Sequence, residues 1–164
     1  MGELSYVGVI GAAQCSEEVA IQAEKLGEGI ARLGAVLVCG GRGGVMEAAA
    51  RGATNKGGVA LGILPGEDPR SGNRYLTLAV ATGLGDARNA VIARTCDVLV
   101  AVDGGYGTLS EIGLALKMGK PVVALGSWRC LDCRGEEAGV IPVSDAEEAL
   151  VQCRRLLAAA GFKE

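Results

Sequence analysis

The sequence predicts an α/β fold: a doubly wound parallel sheet of about seven strands with helices on both faces. Two observations predict it. Apolar runs of Val, Ile, Leu and Ala alternate with segments of helical spacing along the 164 residues. Those apolar runs are not broken by alternating polar residues, which is the pattern of strands buried on both sides. Composition points to one domain over 1–164, because 49% hydrophobic and 21% charged residues is an ordinary globular balance.

The elements follow in order. "LSYVGVIG" (4–11) is an apolar run ending in glycine, a buried strand. "SEEVAIQAEKLGEGIARLG" (16–34) places Val19, Ala20, Ala23, Leu26, Ile30 and Leu33 on one helical face, and Ser16 with two acids suits its start. "AVLVCGG" (35–41) is the second strand, "GVMEAAARGATNKG" (44–57) a helix, and "GVALGILPG" (58–66) the third strand. "EDPRSGNRY" (67–75) is a polar loop and the expected mobile segment. "LTLAVATG" (76–83) is a strand, "DARNAVIARTC" (86–96) a helix, "DVLVAVDGG" (97–105) a strand, and "TLSEIGLALKMG" (108–119) a helix. "PVVALG" (121–126) and "GVIPV" (139–143) are the last strands. The final helix, 144–161, is expected to start on a capping box of Ser144 and Glu147.

Three strand ends run into glycine or small-residue turns before a helix: "VIGAAQCSEE" (9–18), "VLVCGGRGGVMEAAARGA" (36–53) and "VLVAVDGGYGTLSEIGLAL" (98–116). In a parallel sheet these turns share one edge, where free helix N–H groups favour an anion. A single such turn is as well explained by tight geometry. Two dense ones, at 40–44 and 104–107, favour a phosphate or nucleotide. The candidate binding residues are Gly11, Gly40, Gly41, Gly43, Gly104, Gly105, Gly107 and Thr108. No Gly-Lys-Ser/Thr follows either turn, and no GxGxxG follows the first strand, so neither a Walker loop nor a standard dinucleotide site is indicated. Glu111 follows Thr108 by three, which fits either a capping box or a carboxylate held at the ligand edge. Arg88 is either a surface cation or a site residue facing that edge.

The chain has no histidine, which excludes His triads, His bases and His metal sites. No metal is expected. Six cysteines without a secretion signal read as free thiols in a cytoplasmic protein. Cys130 and Cys133 form a lone CxxC in an irregular stretch, read as incidental. A net charge of -3 argues against nucleic acid as partner. No apolar run of 18 residues exists, so no membrane span is expected.

At "GGYGTLSE", "GGRGGVMEAAARGA" and "ARNAVIARTCDVLV" the chain resembles the LOG (lonely guy) proteins of the SLOG superfamily. Within it the chain is similar to the bacterial branch related to the molybdenum-cofactor carrier protein. The resemblance covers residues 4–126 most clearly. It implies a Rossmann-like fold and a homodimer, to which apolar faces such as "IGLALKMG" would contribute. Catalytic members of the family remove the base from nucleoside 5′-monophosphates. Their arginine and glutamate correspond to Arg88 and Glu111, and Gly104, Gly105, Gly107 and Thr108 would hold the 5′-phosphate. No cofactor is required for that cleavage; a bound nucleotide or molybdenum cofactor is the alternative cargo. Two positions depart from the catalytic pattern: Asp103 stands where Pro is usual, and Asn89 where a basic residue is usual. A carrier or sensor of a phosphate-bearing ligand therefore stands beside the hydrolase. A DNA-processing family shares the broad fold, but the acidic balance and scarcity of aromatics disfavour that role.

Overall fold

The computed structural model describes residues 4–162. The first three and last two residues of the expected domain over 1–164 lie outside the described residues. The chain forms β1 (Tyr6–Gly11), α1 (Glu17–Arg32), β2 (Val36–Cys39), α2 (Val45–Asn55), β3 (Ala60–Leu64), β4 (Leu78–Ala81), α3 (Asn89–Thr95), β5 (Val98–Val102), α4 (Tyr106–Lys117), β6 (Val122–Leu125), β7 (Val140–Val143) and α5 (Ala146–Ala159). Short 3-10 turns occupy Pro69–Ser71 and Gly85–Arg88. All seven strands are parallel, in the order β4-β3-β2-β1-β5-β6-β7. The fold is the predicted Rossmann-like α/β sheet.

Two layers of helix cover the sheet. Strand side chains alternate between them, and both sets are apolar. In β5, Val98, Val100 and Val102 join the core under α1, α2 and α5, while Leu99 and Ala101 join the core under α3 and α4. Helices α1 and α2 touch backbone to backbone. A Cβ on Gly27 would lie 2.0 Å from the Ala49 carbonyl oxygen, and one on Gly52 would lie 2.0 Å from that of Glu24.

Several expectations are corrected. The final helix is capped by Asp145, whose carboxylate accepts from the Glu148 N–H; Glu148 in turn accepts from the Ser144 N–H. The cap thus sits one residue later than the Ser144–Glu147 pattern suggests. The 86–96 helix is split, because Gly85 (φ 55°) enters a 3-10 turn that becomes α-helical only at Asn89. The polar loop 67–75 is tied to the turn after β2 at Asn73. Asn73 N–H donates to the Gly41 carbonyl at 2.9 Å, and its Nδ2 donates to that of Arg42 at 3.0 Å. The apolar residues of "IGLALKMG" are largely turned inward: Leu114, Leu116 and Met118 pack on the core. Exposed apolar side chains gather instead on and beyond the edge strand β4, at Leu78, Val80 and Leu84, while Leu4, Ile21, Tyr106, Leu131 and Val151 are exposed elsewhere.

All six cysteines are free. Cys39, Cys96 and Cys153 are buried, whereas Cys133 is exposed on a turn closed by a bridge between Leu131 and Glu137. Among the described residues, no helix is long and apolar enough to cross a membrane.

Candidate functional site

The strand order reverses at β1, whose neighbours are β2 and β5. Loops leaving β1 and β5 diverge there and open a crevice at the carboxyl edge of the sheet. A cleft occupies this point. It is lined by Gly11, Ala12 and Ala13 after β1, Arg42 and Met46 after β2, Asp86, Arg88 and Asn89 before and at α3, and Gly105, Gly107, Thr108 and Glu111 of the β5–α4 turn.

The β5–α4 turn supplies the amides. Asp103 (φ 50°) and Gly104 (φ 106°) turn the chain sharply, and Gly105, extended, becomes the N-cap of α4. No side chain caps this helix. Its first N–H groups are therefore left for a ligand. A Cβ on Gly104 would lie 2.3 Å from Thr108 Oγ1, so that glycine is fixed by its neighbour. Gly105 and Gly107 have no such cause: a Cβ at either meets nothing within 4 Å, and neither has a positive φ. Glycine inside a helix costs about 0.5–1 kcal/mol against alanine. Nothing within the chain requires it at Gly107, and the position opens onto the cleft.

Because α4 starts at Tyr106, Thr108 and Glu111 both lie inside it. The capping-box reading of Glu111 is excluded, since the box needs Thr108 at the N-cap. Glu111 is 93% buried and its carboxylate accepts no hydrogen bond from a described residue. Burial lifts its pKa from 4.5 to about 7, with Arg88 pulling the other way. A carboxyl poised near neutrality in a cleft is suited to proton transfer or to stabilising cationic charge.

Arg88 is not a surface cation: it is 92% buried. Its Nη1 donates to the Gly40 carbonyl at 2.6 Å and also to that of Ile63, while its Nε has no partner among the described residues. Burial lowers its pKa, Glu111 raises it, and Arg42 lowers it again. Arginine remains charged through shifts of this kind. Gly40 owes its identity to this side chain, since a Cβ there would lie 2.7 Å from Nη1.

The predicted residues thus divide. Gly11, Arg88, Gly105, Gly107, Thr108 and Glu111 line one cleft. Gly40, Gly41, Gly43 and Gly104 do not; they shape the turns. Gly41 (φ 71°) turns the chain beneath Leu64 and Leu76, and Gly43 passes the Ala13 carbonyl oxygen. Asp103 lines a neighbouring cleft with Glu18 and Gln22 and is not among the residues that line the one holding the amide cradle. Asn89 donates to Ser110 Oγ, which donates to the Gly107 carbonyl, and so steadies the first turn of α4. Trp128 Nε1 and Ser127 Oγ brace the same turn from the other side, donating to the carbonyls of Gly105 and Asp103. Arg42, Met46 and Asp86 were not singled out from sequence. Arg42 in "GGRGG" carried a signal, being one charged side chain inside a glycine turn.

Comparison with known proteins agrees with this architecture. A protein of Archaeoglobus fulgidus is 49% identical over 123 residues, covering 75% of this chain and 81% of its own length. The molybdenum cofactor binding protein of Rippkaea orientalis has 35% identity and a TM-score of 0.85, covering 94% of this chain and 98% of that one. The Moco carrier protein of Chlamydomonas reinhardtii has 37% identity and a TM-score of 0.84, covering 96% and 99%. A family model described as the SLOG cluster4 family matches residues 4–152. With that match spanning all seven strands of the sheet, the chain belongs to the SLOG cluster4 family.

Proposed function

We propose that the cleft binds and carries a small phosphate-bearing heterocyclic ligand, with the phosphate on the N–H groups of residues 105–108. The observation that carries this reading is the uncapped N-terminus of α4, bordered by two glycines that the chain itself does not need. The similarity over nearly full length to proteins that bind molybdenum cofactor supports a cargo of that class. Asp103, the departure from the catalytic pattern nearest the cradle, lines the neighbouring cleft instead of this one.

One observation favours a second reading, base removal from nucleoside 5′-monophosphates. Glu111 is a buried carboxylate without a hydrogen-bond partner among the described residues, one turn into α4 from the cradle. Cleavage of the N-glycosidic bond builds positive charge on the ribose, which a fixed carboxylate stabilises. Arg88, held by two main-chain carbonyls, would orient the sugar or base without moving. Two copies joined through the Leu78, Val80 and Leu84 surface would form the expected homodimer.

Mass spectrometry of small molecules copurifying with the protein, with an assay of free base released from nucleoside 5′-monophosphates, tests both. A phosphorylated pterin without turnover supports the carrier. Turnover abolished by Glu111→Gln supports the hydrolase. Absence of both a bound anion and turnover refutes the reading of the cleft.

A further inference from the structure

One cationic side chain of the cleft, Arg88, is anchored away from its amide cradle. Arg88 Nη1 is pinned to carbonyls at the ends of β2 and β3. Arg42 leaves the same edge, two residues beyond Gly40. The cradle follows β5, and β1 stands between β2 and β5. With strands about 4.8 Å apart, the β2 end lies roughly 10 Å from the β5 end, and the β3 end about 14 Å. One phosphate seated on the α4 amides does not fill that span.

Arg42 is built to face a ligand. Its main chain is held by the two bonds from Asn73, and the glycines on both sides set the turn. Its side chain is exposed, lines the cleft, and forms no ion pair with any described residue. Arg32, Arg51, Arg70, Arg129 and Arg134 each pair with a carboxylate, whereas Arg74, Arg94 and Arg155, like Arg42, pair with none among the described residues; of these four only Arg42 lines the cleft. Asp86 lines the same cleft and pairs with neither Arg42 nor Arg88. The buried Arg88 Nε adds a second donor without a partner at this end. Two guanidinium groups that repel each other here, with carboxylates near but unbonded, leave room for an anion from outside.

We infer that Arg42 receives a second anionic group of the ligand, while the α4 amides hold the first. The inference rests on the anion-site reading of the cleft and narrows it. The ligand class becomes a phosphate monoester that carries another anion across a core about the size of a sugar. A nucleoside 5′-monophosphate would leave the Arg42 end unfilled.

The test is titration calorimetry with adenosine 5′-monophosphate and adenosine 3′,5′-bisphosphate, on wild type, Arg42→Gln and Asn73→Ala. The wild type should bind the bisphosphate tighter by about tenfold or more, the scale of one charge-assisted hydrogen bond. Arg42→Gln should erase most of that preference, lowering bisphosphate affinity far more than monophosphate affinity. Asn73→Ala should reduce the preference partway, because it removes the Nδ2 bond to the Arg42 carbonyl while the main-chain bond to Gly41 remains. Equal affinity of the two ligands for wild type overturns the inference, as does an equal loss of both in Arg42→Gln. Those results leave the amide cradle standing. Failure of the wild type to bind either ligand overturns the cradle itself.

Discussion

Replacing Glu111 by glutamine should stabilise the protein, and only above acidic pH. The carboxyl is raised from 4.5 to about 7 by burial. Between those values the folded chain holds a proton that the unfolded chain has released. Stability therefore falls as pH rises through that window, and the loss is complete above about 7. At about 1.4 kcal/mol per tenfold change in proton affinity, the charged group costs the fold about 3 kcal/mol at pH 8 and under about 1 kcal/mol at pH 5. Glutamine keeps the shape and carries no charge. For a chain of this size, each kcal/mol moves the melting temperature by about 2–4 °C. Thermal unfolding of both proteins from pH 5 to 8 should thus show Glu111→Gln gaining about 6–12 °C at pH 8, with the gap closing toward pH 5. A gap independent of pH, or a wild type that is the more stable at pH 8, would refute the reasoning. It would mean that Arg88 satisfies the carboxylate and that no charge is held in reserve.

Three other substitutions separate fold from site. Gly107→Ala should leave stability unchanged or raise it by up to about 1 kcal/mol while weakening phosphate binding, read by denaturant melts and calorimetry on one sample. Gly27→Ala should cost about 1–3 kcal/mol in urea unfolding, because its methyl would enter the Ala49 carbonyl and part α1 from α2. Asp145→Ala should cost about 1 kcal/mol through loss of the α5 cap. Thiol titration of the native protein should label Cys133 quickly and leave Cys39, Cys96 and Cys153 unreacted until the chain unfolds.

The parts legible in the sequence were those written in local pattern. The uniform apolar run of β5 announced a strand buried on both faces, and the glycines after it announced the turn. What misled was a local pattern with two meanings. Thr108 and Glu111 have capping-box spacing, yet Gly105 starts the helix and places both residues inside it. Ser144 and Asp145 are both good caps, and only the backbone decides for the second. What was hidden was long-range. Arg88 meets carbonyls 48 and 25 residues earlier in the chain, and Asn73 reaches back 31 residues to Arg42. No spacing rule encodes such contacts. They explain why Gly40 is a glycine, why the 67–75 loop is held, and why Arg42 escaped notice as a site residue.

The α4 amide cradle is tested most directly by a crystal structure with adenosine 5′-monophosphate bound. The phosphate should lie against the main-chain N–H groups of residues 105–108, with Glu111 and Arg88 toward the sugar and base. Phosphate density in the neighbouring cleft beside Asp103 and Glu18, with those amides bound only to water, would contradict it.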